Sequence, residues 1–145
     1  MRHSFSYIVT PKHTNPVGAK NWEKKPLITV NLRHQGKVVN YLALVDSGAD
    51  FNVFHADLAE ILGIDWSGLK STIKFGGVKA DKTPCVGHIA MLELGVNNHF
   101  FDTVMVVFSY DISNDGYGII GQNGFCNYFD VLFDRCNFKL HLKKK

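Results

Sequence analysis

One acidic residue stands where a carboxylate could do chemistry. Asp46 follows the apolar run Leu42-Ala43-Leu44-Val45 and precedes Ser47-Gly48-Ala49-Asp50. A carboxylate delivered by the end of an apolar strand is drawn out of bulk water, and loss of water disfavours the charged form of such a group. Gly48 lets the backbone turn tightly and approach another group closely. Ser47 supplies a hydroxyl that can hydrogen-bond and fix the backbone beside it. A carboxylate held this way suits general acid–base work on a water molecule. Asp, Ser and Gly are also the commonest turn residues, so the tripeptide alone fits a plain β-turn. The apolar run before it and Ala49-Asp50 after it favour the catalytic reading.

Other chemistries find little support. The seven His residues form no HExxH, the pattern that places two ligands and a base on one helix face. GxSxG and P-loop patterns are missing as well. Cys126 and Cys136 with His141 make a poor metal or nucleophile site, and buried thiols acting as small apolar groups are the ordinary reading. No metal and no cofactor are expected.

The elements around Asp46 read as an all-β chain. Leu27 to Leu32 and Val38 to Val45 are β-rich runs separated by a loop with Gly36, so a hairpin delivers Asp46. Residues 55–63 carry apolar positions 58, 61 and 62 with Gly63 just beyond, which predicts a short amphipathic helix with a glycine stop. Ser71 to Phe75, Cys85 to Leu94 (closed by Gly95) and His99 to Phe108 follow as strands. Gly76 to Thr83 is a Gly- and charge-rich turn, and Tyr110 to Tyr117 a polar loop. Ile119-Ile120-Gly121 leads into a second short helix over 122–128. Phe129 to Asp134 and Asn137 to Leu142 close the chain as strands. Residues 1–24 read as an N-terminal arm, with a short strand over Phe5 to Val9 and loop chemistry from Pro11 to Lys20, and 25–145 as the domain proper. Many short strands at hairpin spacing suggest a closed or barrel-like sheet.

Composition agrees. The chain has 145 residues, 46% hydrophobic and 20% charged, with 11 Phe, five Tyr and two Trp. That is one domain able to bury a core, with aromatics suited to strands. The net charge of +3 owes much to Lys143-Lys144-Lys145, read as a solvated tail; without an aromatic-interleaved basic stripe, nucleic-acid binding is not expected. No stretch reaches the length needed to cross a bilayer, and Met1 to Thr10 lacks an apolar h-region and a small-residue cleavage site. Three cysteines without CxxC spacing fit a reducing compartment. The expectation is a soluble cytoplasmic protein.

The order of motifs resembles the retropepsin-like aspartic peptidases, the single-lobe relatives of pepsin. Asp46-Ser47-Gly48-Ala49-Asp50 matches that family's Asp-Thr/Ser-Gly-Ala-Asp. Ile119-Ile120-Gly121-Gln122-Asn123 matches its later pair of apolar residues, Gly and helix start. Phe75-Gly76-Gly77 and the following hairpin sit where the family has its flap. The likeness runs from Lys25 to Leu142, and the two anchor motifs at this spacing are specific together rather than singly. It implies a closed barrel with one lobe per chain, two short helices and a flap hairpin. It also implies that Asp46, Ser47 and Gly48 form the catalytic group, with Ser47 in a hydroxyl network beneath two aspartates. Gly48, Ala49, Asp50, Phe75, Gly76, Gly77 and Val78 would contact substrate, and Ile119, Ile120 and Gly121 would pack beside the active-site loop. Lys25 of one chain would pair with Asp50 of another. Two departures bear on the interface: Phe51 replaces a second Asp of many retroviral members, and Gln122 replaces their Arg. The arm has no retroviral counterpart and is available for dimer contacts.

Aspartic peptidases use two carboxylates sharing one proton, one acting as base on water and the other as acid. This chain has one such motif; Asn114-Asp115-Gly116 lacks a preceding apolar strand and reads as a turn. The second aspartate is therefore expected from a second copy across a two-fold axis. The expected activity is hydrolysis of peptide bonds in peptide or protein substrates, with hydrophobic residues around the scissile bond suggested by Phe51, Val53, Phe75 and Val78. The alternative of a different class is a catalytically silent domain of the same fold that binds peptides or only dimerises.

Overall fold

The computed structural model describes residues 2–11, 22–76, 81–113 and 116–145. Gly77, Val78, Asn114 and Asp115, and most of the expected 11–20 loop, lie outside them. In chain order the elements are β1 (Arg2–Ser6), β2 (Ile8–Pro11), β3 (Trp22–Lys25), β4 (Leu27–His34), β5 (Lys37–Val45), β6 (Asn52–His55), α1 (Ala56–Ile61), β7 (Thr72–Phe75), β8 (Cys85–Val96), β9 (His99–Ser109), β10 (Gly118–Ile120), β11 (Phe129–Asp134) and β12 (Lys139–Lys144), with one 3-10 turn at Trp66–Gly68. Strands hold 61% and helices 7%, so sheet geometry places the site.

Six strands close on themselves. The order β4-β5-β10-β6-β9-β8 is sealed by a second pairing of β8 with β4, Val30 opposite Val96 and Arg33 opposite Glu93. β8 reaches both neighbours because its register with β9 shifts between Leu94 and Gly95; such an irregularity bends a strand. The extra residue of this bulge is Phe101 of β9, and Gly95 lies inside β8 rather than at its end. The turn that ends the strand is Asn97-Asn98, both with positive φ (51° and 61°), the backbone a two-residue hairpin needs. Gln35-Gly36 does the same between β4 and β5 (47° and 82°).

The barrel is filled by residues such as Ile28, Val30, Leu32, Phe54, Leu94, Val106, Phe108 and Ile120, all fully buried. α1 caps one side with Leu58, Ala59 and Leu62, and its first turn is held by the His55 ring, whose Nδ1 accepts from the Asp57 N–H at 3.1 Å. β1, β12 and β11 form a separate three-stranded sheet whose inner residues Leu140, Leu142 and Phe129 join the same core.

Five further local expectations are corrected. The Phe5–Val9 strand is two strands, β1 and β2, broken at Tyr7, whose side chain is buried. β3 was not expected; Trp22-Glu23-Lys24-Lys25 has no apolar alternation and is extended because it pairs with β2. β6 was not expected either, because all four of its residues are buried and no period of two shows. Lys143 and Lys144 are not a free tail, since they pair with Asp130 and Phe129 across β12.

The fifth concerns 122–128, which forms turns around an isolated bridge between Asn123 and Phe51, and no helix. Gly124 has φ +98°, outside the helical region. The N–H groups of Cys126 and Asn127 bond the carbonyls five residues back, Gly121 at 3.0 Å and Gln122 at 3.2 Å, instead of the four-back ladder of an α-helix.

Candidate active site

Asp46 emerges where three strands meet. β10 lies between β5, to which it is parallel, and β6, to which it is antiparallel, with Ile119 beside both Leu44 and Val53. The Asp46 N–H donates to the Ile120 carbonyl at 3.0 Å, and that of Val45 to the Pro26 carbonyl at 3.0 Å. The chain then reverses: the Ala49 N–H returns to the Asp46 carbonyl at 3.2 Å, and the Gly48 N–H donates to Asp46 Oδ1 at 2.9 Å. The carboxylate is thus oriented by its own turn, and the Gly48 N–H is spent on it.

The second motif pins this loop from the other side. The Gln122 N–H donates to the Ala49 carbonyl at 2.8 Å and the Asn123 N–H to that of Asp50 at 2.9 Å. Asn123 Nδ2 reaches the same Asp50 carbonyl at 2.9 Å, and Gln122 Nε2 the Ser47 carbonyl at 2.5 Å. Gln122, which departs from the retroviral Arg, serves here as a neutral donor to the 46–50 turn. Gly121 is fitted tightly: a Cβ there would lie 2.4 Å from the Ala49 carbonyl oxygen and 2.9 Å from that of Phe51. Ile120 is in the barrel core, whereas Ile119 is half-buried and looks into the cleft.

Asn52 was missed in the sequence. It is fully buried, its Oδ1 accepts from the Gly121 N–H at 3.0 Å and its Nδ2 donates to the Met105 carbonyl at 3.4 Å. One carboxamide therefore ties the strand after Asp46 to Gly121 and to β9. A polar residue in a segment otherwise apolar from Phe51 to Phe54 was the available signal. Asn52→Leu leaves the buried Gly121 N–H without a partner and is expected to cost about 2–3 kcal/mol, read as a lower urea midpoint.

The carboxylate faces a cleft of about 570 Å³. Asp46, Gly48, Ala49 and Asp50 line one side, with Phe75 and Gly76 from the β7–β8 hairpin opposite. Phe51, Val53 and Ile119 give it apolar walls, and Lys74 is its cation. Ser47 is exposed beside Asp46 and outside this lining. The cleft therefore gathers most of the expected site residues, while Gly77 and Val78 lie outside the described residues.

Two neighbours report on the electrostatics. The Cys126 thiol is pushed up by burial first and by the charge of Asp46 second, which places it within electrostatic reach of that carboxylate. Lys25 Nζ donates to Tyr117 Oη at 2.7 Å and lies 3.4 Å from Glu23 Oε1. The bond to Tyr117 is the main reason its pKa is raised above the ordinary 10.5. A group whose folded pKa is raised stabilises the fold below its unfolded pKa and loses that contribution as pH climbs through the folded value. Tyr117→Phe should accordingly lower the urea midpoint slightly from pH 7 to 10, with the gap to wild type closing above Lys25's raised pKa.

Among the described residues no group of three or more His, Cys, Asp or Glu is placed to hold a metal ion, and no helix is long and apolar enough to cross a membrane. A carboxylate on a doubly pinned loop, at the end of an apolar strand and at the mouth of a cleft, on a closed six-stranded barrel, is the arrangement of a retropepsin-like aspartic protease lobe. The sequence profile described as aspartyl protease matches residues 30–123, and the chain belongs to that family. In fold it is similar to the crystal structure of a retropepsin-like aspartic protease from Rickettsia conorii, with TM-score 0.63 and 16% identity over 98% of each chain. No curated protein sequence matches it.

Proposed function

We propose that the chain is one half of a homodimeric aspartic endopeptidase in which the Asp46 carboxylates of two copies face each other across a two-fold axis. The observation that carries this is the placement of Asp46 at the mouth of a cleft, oriented by Gly48 and held by the 119–123 segment. Two carboxylates brought close together cannot both ionise, so the pair shares a proton and titrates in two steps. The ionised member takes a proton from a water that attacks the scissile carbonyl; the protonated member polarises that carbonyl and then serves as acid. Ser47 lies at the base of this pair, where its hydroxyl supports the facing turn. The hairpin β7–β8 acts as the flap over bound substrate, and Gly48, Ala49, Asp50, Phe75, Gly76, Gly77 and Val78 are its contacts.

The apolar walls Phe51, Val53, Phe75 and Ile119 favour hydrophobic side chains around the cut bond, since burying one is worth about 1.5–3 kcal/mol. Residues 25–145 form the peptidase domain. Residues 1–24 are an appended arm that contributes dimer contacts, and Lys25 pairs with Asp50 of the second copy by leaving Glu23.

The test is cleavage of a mixed peptide library between about pH 4 and 7, the acidic range in which a carboxylate pair titrates, with and without pepstatin. Inhibitable cleavage with a bell-shaped rate profile supports the reading. Activity per mole of chain should also fall on dilution below the dimer constant, followed by sedimentation on the same samples. No cleavage from protein shown to be dimeric points instead to a silent binding domain.

A further inference from the structure

A second cavity, about 410 Å³, lies where β1, β4, β9 and β12 converge. Its polar lining is His3, Arg33, Asn98, His99 and Lys144, and no carboxylate is among its lining residues. These polar residues come from four separate stretches of sequence, Asn98 and His99 being adjacent, so the concentration of donors is made by folding.

The donors are in different states of engagement. Arg33 is committed to Glu93, through Nε at 2.8 Å and through a second, closer contact, and its guanidinium lies 3.7 Å from the centroid of the Phe100 ring. It contributes a fixed, half-neutralised wall. Lys144 is exposed and makes no ion pair among the described residues. His3 lies with its ring centroid 6.2 Å from that of His99. Its Nδ1 is 2.9 Å from Asn97 Nδ2. An amide nitrogen can only donate, so Nδ1 is the acceptor and Nε2 carries the proton of the neutral ring. His3 therefore remains a donor without being charged.

The floor is apolar. Phe101 packs edge-on against Phe129 at 5.2 Å between centroids, Phe129 is buried, and both line the cavity beside Phe100. Sites of this volume bind small ligands when an apolar floor meets a few fixed polar groups. The cavity adjoins the β8–β9 turn rather than the Asp46 cleft, and the two share no lining residue.

We infer that this cavity is a binding site for a carboxylate attached to an apolar side chain, such as the C-terminal end of a peptide finishing in a hydrophobic residue. The carboxylate sits among Lys144, His99 and His3, and the side chain lies on Phe101 and Phe129. The assignment does not depend on Asp46 or on catalysis.

Proton linkage supplies an independent readout. The titratable and charged groups around His3 are His99 from β9, Arg33 from β4 with its partner Glu93 on β8 and Lys144 from β12 on the side of this cavity, and Arg2, Asp130, His141 and Lys143 on its other side. Burial foremost, then His99 and the amino terminus, hold His3 below the ordinary 6.5. A bound anion offsets these effects, so it raises the pKa of His3 and binds more tightly as pH falls.

The experiment uses the full chain carrying Asp46→Asn, so that no cleavage intervenes. N-acetylphenylalanine, its uncharged amide and inorganic phosphate are titrated separately while the His3 and His99 ring signals are followed by NMR between about pH 5 and 8, the range where histidine titrates. The acid is expected to bind saturably, shifting both ring signals and raising the His3 midpoint, and the amide and phosphate to bind at least about tenfold more weakly. Lys144→Gln and His99→Gln, both at exposed side chains, should each weaken the acid severalfold with the fold intact. Equal binding of acid and amide, binding of phosphate as tight as the acid, or no saturable binding of the acid would each overturn the assignment.

Discussion

Asp46→Asn is expected to reduce kcat/KM for peptide cleavage by at least about 10³-fold, the upper part of the range for removing an acid–base group, with little change in the unfolding midpoint. The asymmetry follows from what the carboxylate does in each role. Structurally Asp46 accepts one hydrogen bond, from the Gly48 N–H at 2.9 Å, and an asparagine Oδ1 accepts the same bond at the same length of side chain. Chemically an amide cannot share a proton with a facing carboxylate, nor take one from water. Circular dichroism and a urea melt beside the kinetics separate the two. A variant that unfolds early would make the kinetic loss uninformative; a well-folded variant that still cleaves would remove Asp46 from the mechanism.

The same substitution tests the stoichiometry. In a shared site one altered chain inactivates its partner as well. Equal amounts of wild type and Asp46→Asn, mixed under conditions that allow exchange, should therefore retain about a quarter of the wild-type activity at constant total chain. Independent sites would retain about half. This curve distinguishes a composite site from two complete ones without knowledge of the physiological substrate.

How far the sequence reached depended on whether the relevant physics was local. Asp46-Ser47-Gly48 and Ile119-Ile120-Gly121 stood out by residue type, a carboxylate after an apolar run and a glycine, and the structure brings the two segments together, with backbones touching at Gly121. The amphipathic helix at 55–63 was legible from its period and stop, and α1 covers Ala56–Ile61. Elements defined by partners were not. β3 is a strand only because β2 lies beside it, and β6 hid its period because both its faces are buried, Phe54 in the barrel core and Val53 in a second cluster with Val107 and Ile112. The expected helix at 122–128 fails for a similar reason. Gln122 and Asn123 spend their first N–H groups on the Ala49 and Asp50 carbonyls, and Gly124 turns the chain at φ +98° so that Phe125 reaches the core. Asn52 could be noticed as a polar residue in an apolar segment, but its partner and the Lys25–Tyr117 bond could not be read for want of sequence proximity, as the partners lie 69 and 92 positions away.

Gly121→Ala should be the most damaging single-methyl change near the site. The added Cβ would meet the Ala49 carbonyl oxygen at 2.4 Å, the Ala49 carbonyl carbon at 2.9 Å and the Phe51 carbonyl oxygen at 2.9 Å. All three are backbone atoms, so no side chain can rotate away. Relief requires either β10 or the 46–51 turn to move. β10 is held between β5 and β6 and Ile120 is fully buried, whereas the turn is largely exposed and is joined to 121–123 mainly by hydrogen bonds. The turn therefore yields, and the bonds from Gln122 and Asn123 to Ala49 and Asp50 lengthen with it. Overpacking of this kind costs about 1–3 kcal/mol of stability, but displacement of a catalytic group by about 1 Å can cost 10²-fold in rate. The expected result is thus a folded protein with a modestly lowered urea midpoint and a kcat reduced by about two orders of magnitude. KM should change much less, because Phe51, Val53 and Phe75 keep the cleft walls. A stability loss without the kinetic loss would show that the 119–123 segment merely packs against the active-site turn and does not set the position of Asp46.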